Sequence, residues 1–506
     1  MHYGVRCRPG VVLGILSLIV TSLGLMLLAQ GVPGGELTAS MHSAPVTLDP
    51  HKQVGDAGYI LSNLVYENLV KLDLDSELAP ALAVSWESSE DLMTWTFNLR
   101  EGVVFHDGSP LTAADVVFSI ERILDPDTAS PGEAEFSIVS SVEAVSSTTI
   151  EFTLNAPYAD FPGVCTVRHG RIIPQHAVDE IATSPIGTGP FMLDTYVPSE
   201  QYSFTKNPNY WKTGLPYLDE VTIRVMPEIS TNITALMTGE IDLLWRLPQD
   251  QFDIIGEEPG INISSIATPS YDVIIMNADK EPFSDPRVVN AVKYCIDQEL
   301  LLEAGLLGYG TLTVSPIPPE SPFFNPFAQS REQDYELAKA LLAKAGYEDG
   351  LDITLYLGIG RASRERVGIA LQQLLAPAGI NVQIARVPLD KFFGEIEFNA
   401  EFYVTGFSAR PTVDTMTYPM FHSTGSWNLA HWENAEVDAL LEAARQTLDS
   451  EKQKYYYSRL QTLIAEDAPL SIPYLHLHFD AFGEYVKGYR SDPFTLIELE
   501  YVYLER

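Results

Sequence analysis

The sequence predicts an α/β protein that is built from more than one lobe. The chain has 506 residues, which is more than one hydrophobic core usually organises, so we expect two or three packed units. Its second half alternates between strand-like and helix-like segments, a pattern typical of a unit with a mostly parallel sheet. The apolar content of 46% and the charged content of 20% are those of an ordinary globular protein.

The amino-terminal residues have the pattern of an export signal. Arg6 and Arg8 precede an apolar run from Val11 to Leu28, and small residues follow at the two positions that a signal peptidase reads. We predict a signal peptide at residues 1–31, with an uncleaved membrane anchor as the alternative, because such a run just spans a bilayer. No cysteine follows the run, which argues against a lipoprotein. The predicted location is the periplasm or the outer face of the cytoplasmic membrane.

The first half of the chain contains strands and a helix with clear boundaries. From Thr94 to Leu99, polar and apolar residues alternate, as in a half-buried strand. Thr112 and Asp115 have the spacing of a capping box and predict the start of a helix, which Asp125-Pro126 ends. Alternating apolar residues from Ile150 to Leu154 predict another strand.

The second half has the more regular alternation. Asp285 is followed by a proline, which suits the first position of a helix, so we predict that a helix begins there. The remaining predictions are a helix from Asp334 to Gly346, a strand at 353–357, a helix at 367–375, strands at 382–387 and 402–406, and two helices within 434–467.

Charge and cysteine content exclude several kinds of partner. The net charge of −37 excludes nucleic acid, because a protein that binds phosphates needs a surplus of Lys and Arg. We interpret this charge as a soluble, self-repelling surface, with recruitment of a cationic ligand as the alternative. The cysteines, Cys7, Cys165 and Cys295, lack metal-ligand spacing, and we expect the latter two to be inert thiols.

The sequence contains no catalytic or cofactor motif of the common kinds. There is no G-x-S-x-G elbow, no H-E-x-x-H and no G-x-x-x-x-G-K-[ST] loop. The glycines from Gly187 to Gly189 predict a tight turn. His476 and His478 would share one face of a strand, which suits a metal, although structural histidines are favoured because no third ligand is near. We predict a binding protein without cofactor or metal; a secreted hydrolase is the alternative from another class.

Several specific motifs are spread along the chain after the predicted signal. The densest runs from Glu77 to Pro126 and contains a Ser-Trp pair, a Leu-Arg-x-Gly-Val segment and a Phe-His-Asp-Gly turn. The others are Thr47–His51, Ile186–Phe191, Lys206–Trp211, Gly239–Asp242, Pro282–Val288, Ala343–Tyr347 and Ala465–Pro469. In combination they resemble family 5 of the extracellular solute-binding proteins, which includes dipeptide, oligopeptide and nickel receptors.

This resemblance implies a two-lobed periplasmic-binding-protein fold with a hinge and an extra subdomain in the first lobe. By that analogy, the core of lobe I takes residues 32–50, 184–268 and 474–506. The extra subdomain takes residues 51–183, and lobe II takes residues 269–473. The alternation of strands and helices supports this division in lobe II.

The resemblance also places ligand specificity in the segment after Gly406. Relatives that bind peptides have an acidic residue shortly after a Gly-aromatic pair, where it binds the amino terminus of the ligand. Arg410 stands at that position here, and a guanidinium prefers a carboxylate or a phosphate to an amine. We therefore predict a ligand with an anionic or hydroxyl-rich group at Arg410, with Asp414 as the alternative contact.

Four further residues are candidates for the ligand pocket. Tyr418, Trp427 and Asn428 offer aromatic walls and an amide, which suit a small polar solute. Tyr271 lies where the chain is expected to cross into lobe II. Nickel receptors of the family use a histidine in the region of His422, but no metal is predicted here.

The implied function is that of a transport receptor. The lobes would close around the solute, and the closed form would dock on an ABC permease in the membrane, which is driven by a cytoplasmic ATPase. We expect a monomer. Dipeptides and oligopeptides are the default ligands; sugars, opine-like acids, metal chelates and a sensory or peptide-chaperone role are the alternatives.

Overall fold

The computed structural model describes residues 34–73 and 77–506. The predicted signal at residues 1–31, and Cys7 within it, lie outside the described residues. Within the described ranges, no helix is both long enough and apolar enough to cross a membrane.

The elements alternate along most of the chain. In chain order the strands are β1 (Glu36–Met41), β2 (Val70–Leu72), β3 (Leu78–Pro80), β4 (Ala83–Ser88), β5 (Thr94–Leu99), β6 (Val139–Ala144), β7 (Thr149–Leu154), β8 (Phe191–Val197), β9 (Gln201–Lys206), β10 (Glu220–Val225), β11 (Leu243–Leu244), β12 (Ile261–Met276), β13 (Gly310–Leu312), β14 (Leu351–Gly358), β15 (Ile380–Val387), β16 (Phe402–Phe407), β17 (Leu470–Gly483), β18 (Val486–Lys487) and β19 (Tyr503–Leu504). The α-helices are α1 (Asp56–Val65), α2 (Ala113–Leu124), α3 (Glu133–Phe136), α4 (Phe161–Val164), α5 (Ile229–Met237), α6 (Phe252–Gly256), α7 (Pro286–Cys295), α8 (Gln298–Leu306), α9 (Tyr335–Lys344), α10 (Ala362–Leu375), α11 (Leu389–Lys391), α12 (Val413–Phe421), α13 (Ala435–Arg445) and α14 (Ser450–Asp467). Short 3-10 turns occupy Gln175–Glu180, Gln249–Gln251 and Ala376–Ala378, and a π-helical turn occupies Phe392–Ile396.

A small antiparallel sheet forms its own packed unit, which we call the subdomain. Its strands lie in the order β4-β5-β7-β6, and helices α2 and α4 pack on it. Alternate residues of β5 point into the core, and Phe97 packs there against Phe152 and Phe161 with ring centroids 5.4 and 6.1 Å away. Thr112 and Asp115 form the predicted capping box at the start of α2, and Asp125 caps its end.

A larger sheet joins the two lobes. Its main path, as far as the described residues show, is β15-β14-β16-β12-β17-β11-β1-β10-β9-β8. Lobe I holds β1 and β8 to β11, with α1 packed in the same core. Lobe II holds β14 to β16, and helices α7 to α10 and α12 to α14 cover its faces. Strands β12 and β17 are long enough to run through both lobes, so the lobes are connected by hydrogen-bonded strands.

The strand and helix predictions agree with the structure except in the direction of the sheet. Asp285 and Asp334 cap α7 and α9 as expected, each through its side chain. The prediction of a mostly parallel sheet in lobe II holds for three strands only, because β14 pairs in parallel with β15 and β16. It was wrong for the rest of the lobe II sheet, where β12 pairs antiparallel with β16 and β17. The shared strands cause this difference, because the chain enters lobe II on one of them and returns on the other.

The segment that contains Gly187 and Gly189 bends at residues 188–190, and both glycines also allow two backbone segments to approach closely. A Cβ atom on Gly187 would lie 2.1 Å from the carbonyl oxygen of Val65, and one on Gly189 would lie 2.6 Å from the carbonyl carbon of the same residue. The backbone N–H of Gly189 donates to that carbonyl oxygen at 2.8 Å. These glycines therefore let two backbone segments meet at the end of α1.

Candidate ligand-binding cleft

A cleft of about 1730 Å³ lies between the lobes. Residues of lobe I, the subdomain and lobe II all line it, so its shape depends on how the lobes are placed. Such a volume exceeds the usual range of small-molecule pockets, which is about 300–1,000 Å³, and leaves room for a ligand of several residues or for trapped water.

Aromatic side chains form the lobe II wall of the cleft. Tyr271 of β12 pairs with Phe407 of β16, and their rings stack with centroids 5.5 Å apart. Trp427 packs edge-on against Phe407 at 5.8 Å and lies 5.6 Å from the ring of Phe398. Trp427 is 37% exposed although its neighbours support it, so the wall presents a free aromatic surface to the cleft.

Arg410 lines the cleft, and its contact with a ligand stays a prediction. Its guanidinium reaches across the cleft to Glu135 of helix α3, with 3.5 Å between Nη1 and Oε1, and its side chain is 44% exposed. That distance is longer than the 2.7–2.9 Å of a tight charge-assisted hydrogen bond. Arg410 is therefore only loosely held and is able to turn toward a ligand.

Asp414 lines the cleft, but its carboxylate is already occupied. Arg445 donates to both of its oxygens at 2.8 Å, and the hydroxyl of Tyr158 donates to Oδ2 at 2.6 Å. Asp414 is 1% exposed. A buried carboxylate with these partners has little capacity left for the amine of a ligand. Its ligand contact stays a prediction.

Tyr158 and its neighbours bring the subdomain against lobe II. The backbone N–H of Ala159 donates to the carbonyl oxygen of Arg445 at 2.7 Å, and the Asp160 side chain bonds the Thr412 side chain. We call this set of residues, together with Asp414, the interlobe contact. Burial, together with the negative charge of Asp414, raises the pKa of Asp160 to about 7.

Two predicted site residues lie outside the cleft lining. The hydroxyl of Tyr418 donates to Glu442 at 2.9 Å, and the guanidinium carbon of Arg445 lies 3.2 Å from the centre of the Tyr418 ring. The amide of Asn428 bonds the backbone N–H and carbonyl of Trp432. Both side chains therefore bind partners within lobe II and stabilise it. Their contacts with a ligand also stay predictions.

Sequence reasoning missed the residues that face the aromatic wall. Arg168, His169 and Glu135 line the cleft from the subdomain, far in sequence from the predicted specificity segment. No local pattern marks them, because a cleft between lobes brings together residues that periodicity and spacing do not relate. Residues that meet across such a cleft are identified only from the three-dimensional positions of the lobes.

The histidines that suggested a metal have other partners. The Nε2 of His476 lies 3.4 Å from Asp272, and that of His478 lies 3.0 Å from Asp480, so each has its own carboxylate. The His422 ring stacks on Tyr418 with centroids 4.4 Å apart. In the part of the chain that the structure describes, no group of three or more His, Cys, Asp or Glu side chains is arranged to hold a metal ion.

The cleft and the crossing strands can be compared with known proteins. The model of the bacterial extracellular solute-binding proteins, family 5, matches residues 77–428. This chain belongs to that family. Such a solute-binding protein from Escherichia coli K12, the glutathione-binding protein GsiB, is 30% identical over 455 residues, which cover 86% of this chain and 88% of GsiB.

Solved structures with related sequences share the fold of this solute-binding protein. The periplasmic binding protein DppA from Helicobacter pylori, in complex with the peptide STSA, is 27% identical with a TM-score of 0.78, and the match covers 94% of this chain and 99% of DppA. The protein AgaA from A. tumefaciens R10, in complex with agropinic acid, is 26% identical with a TM-score of 0.77, covering 93% and 99%. The predicted family and the two-lobed periplasmic-binding-protein fold are therefore confirmed.

Proposed function

We propose that this protein is the receptor of an ABC importer and captures a small peptide or a related organic acid. The observation that carries the proposal is the cleft of about 1730 Å³, which groups from both lobes line. Family membership supports it, and the relatives named above are binding proteins, which favours a receptor over the secreted hydrolase.

Capture follows from the way the lobes are joined. Strands β12 and β17 cross between the lobes and connect them. A twist of these two strands therefore opens or closes the cleft while the lobes stay connected. A solute that touches both walls gains all its contacts only in the closed form, and it therefore shifts the population toward closure. The permease then distinguishes the closed form from the open one.

The ligand class is proposed from the cleft and from the relatives. The named relatives bind glutathione, the peptide STSA and agropinic acid, which all carry carboxyl groups. Arg410 offers a guanidinium and Trp427 offers exposed aromatic surface to such a molecule, and Tyr271, which is 3% exposed, lines the cleft beside them. We propose these three side chains as ligand contacts, and we assign Asp414 to the interlobe contact. Peptides and acids are thus favoured over sugars and metal chelates.

The cellular setting completes the proposal. Residues 1–31 direct export, and the exported chain acts as a monomer outside the cytoplasmic membrane. Its partners are a membrane permease and the cytoplasmic ATPase that drives it.

A thermal-shift screen of the purified protein tests this function. The ligands are glutathione, the tetrapeptide Ser-Thr-Ser-Ala, agropinic acid and, as a neutral comparison, maltotriose. A ligand at a hundred times its dissociation constant adds about 2.7 kcal/mol to the free energy of unfolding, which raises the melting temperature measurably. We expect at least one of the three carboxyl-bearing ligands to do so.

A variant locates the binding in the cleft. Trp427→Ala removes the exposed aromatic surface of the cleft wall and should weaken binding of the ligand found, as measured by calorimetry. Tyr455→Ala is the control, because Tyr455 is an exposed aromatic residue on α14 that does not line the cleft. A shift with maltotriose alone, or equal losses in both variants, would contradict the proposal.

A further inference from the structure

The interlobe contact holds the subdomain against lobe II, although no covalent segment joins the two directly. The chain leaves the subdomain after β7 and passes through β8 to β11 of lobe I before it reaches lobe II. Ala159 donates its backbone N–H to the carbonyl oxygen of Arg445 at 2.7 Å, and the hydroxyl of Tyr158 donates to Asp414 at 2.6 Å. These hydrogen bonds therefore form when the cleft closes and break when lobe II turns away.

Two carboxylates meet in this contact, but only one of them has a cationic partner. Arg445 donates to both oxygens of Asp414 at 2.8 Å. Asp160 is partly buried, and its bond is with the side chain of Thr412. Among the residues that the structure describes, no Lys, Arg or His nitrogen lies within 4.0 Å of the Asp160 carboxylate. One guanidinium thus serves two carboxylates, and it is already engaged by Asp414.

The groups that face Asp160 come from three helices of lobe II and from its own segment. They are Asp414 at α12, Arg445 at α13 and Tyr457 at α14, with Tyr158 two residues before Asp160. Burial and the nearby carboxylates raise the pKa of both tyrosines well above the ordinary value, so both stay neutral. The repulsion from Asp414 exceeds the attraction of Arg445, and together with burial it raises the pKa of Asp160 to about 7. The contact therefore favours a protonated Asp160.

We propose that Asp160 is a proton switch for closure: the interlobe contact forms with Asp160 protonated, and the cleft opens more readily when Asp160 is ionised. On closure the carboxylate takes a proton from solvent, which removes the repulsion between it and Asp414. On opening, water reaches the carboxylate again and the proton returns to solvent. The switch acts on the conformational equilibrium itself, so it does not depend on which solute the cleft binds.

The direction of the effect follows from the two protonation states. In the open form, water surrounds Asp160 and its pKa returns toward the ordinary 3.8. Between that value and about 7, the closed form binds a proton that the open form has lost, so the ratio of closed to open molecules falls as pH rises. One proton changes this ratio by up to about 10-fold per pH unit within the window. The receptor therefore holds a solute more tightly in mildly acidic surroundings than in alkaline ones.

Hydrogen exchange at Ala159 tests the switch, because its backbone N–H is hydrogen-bonded to lobe II only while the contact is formed. The purified protein without added ligand is exchanged into deuterated water at pH 5 and at pH 8. The protection factor is the intrinsic exchange rate divided by the measured one, which cancels the pH dependence of the exchange chemistry. We expect the protection of Ala159 to be about 10-fold to 100-fold lower at pH 8. The internal reference is the N–H of Leu154, which bonds the Met93 carbonyl oxygen within the subdomain at 2.8 Å and should keep its protection.

Three variants separate the proton from the rest of the contact. Asp160→Asn, which cannot ionise, should show the same protection at Ala159 at both pH values. Tyr158→Phe removes one hydrogen bond and should lower this protection on the order of 10-fold at both pH values, with the pH dependence kept. Asp349→Asn removes an exposed carboxylate outside the contact and should behave as the wild type.

Three results would overturn the proposal. They are equal protection of Ala159 at pH 5 and pH 8 in the wild type, a pH dependence in Asp160→Asn as large as in the wild type, and an Ala159 N–H without protection at pH 5, which would show that the contact does not form. No ligand enters this experiment, so each of these results leaves the proposed function intact. That function fails instead in the thermal-shift screen.

Discussion

At the scale of single residues, the carboxylate of Asp414 joins parts of the chain that are far apart in sequence. It accepts two hydrogen bonds from Arg445 of its own lobe and one from Tyr158 of the subdomain. The family resemblance offered Asp414 as an alternative ligand contact in this segment. Here Asp414 is buried, whereas Arg410, which precedes it in the same segment, has an exposed side chain.

We predict that Asp414→Asn lowers the free energy of unfolding by about 2–3 kcal/mol, because it leaves the partly buried Arg445 without its counter-charge. Unfolding in urea measures the change. The control is Glu436→Gln, which breaks an exposed pair with Arg459 and should leave the unfolding curve almost unchanged. An Asp414→Asn protein as stable as the wild type would show that the pair does not stabilise the fold.

Single residues also show which parts of the cleft lining could be predicted from the sequence and which could not. The resemblance led to Arg410, Tyr271 and Trp427, and the structure places all three in the cleft lining. Tyr418 and Asn428 have the right chemistry, but they point into lobe II. Arg168 and His169, which line the cleft from the subdomain, had no signal in the sequence, because no local pattern relates them to the opposite wall.

At the scale of elements, local rules predicted most boundaries. Capping residues fixed the starts of α2, α7 and α9, since a side chain that satisfies free backbone N–H groups acts within a few residues. The direction of β12 and β17 could not be predicted in the same way. Strand pairing depends on partners about 200 residues away, which periodicity does not identify.

Helix α4 contains a tight contact between the subdomain and lobe II. A Cβ atom on Gly163 would lie 2.3 Å from the Cγ2 of Thr412 and 2.9 Å from an Asp160 carboxylate oxygen. We predict that Gly163→Ala pushes the interlobe contact apart and weakens binding of any cleft ligand. Small-angle scattering should show a larger radius of gyration for the liganded variant than for the liganded wild type.

Thr412→Ser provides the matched rescue for that variant. Serine lacks Cγ2 but keeps the hydroxyl that caps α12. The double variant Gly163→Ala with Thr412→Ser should recover part of the lost affinity and compactness. If Gly163→Ala alone behaves as the wild type, the interlobe contact does not limit closure.

At the scale of the whole molecule, the interlobe contact makes stability depend on pH. The pKa of Asp160 is raised to about 7 in the folded chain from an ordinary value of 3.8. Between these values the folded chain binds a proton that the unfolded chain has lost, so stability falls as pH rises through this window. The charged groups around Asp160 are Asp414 and Arg445, and only the latter favours its ionised form.

We therefore predict that Asp160→Asn is more stable than the wild type at pH 8, on the order of a few kcal/mol, and that this advantage has largely disappeared at pH 4. Melting temperatures at the two pH values measure it. The control is the exposed Asp349→Asn, which should differ from the wild type equally at both. An Asp160→Asn protein that keeps the same difference at both pH values would contradict the assignment.

The two crossing strands also place the ends of lobe II side by side. Ala267 pairs with Leu477, and Tyr271 pairs with Leu475, so the chain leaves lobe I and returns to it at neighbouring positions. Lobe II is therefore an insertion in the covalent sense, although it is continuous with lobe I in the sheet. A recombination event between related genes that exchanges this segment replaces the aromatic wall and Arg410 together. Such an exchange gives the cleft a new lobe II wall while lobe I and the subdomain are inherited unchanged.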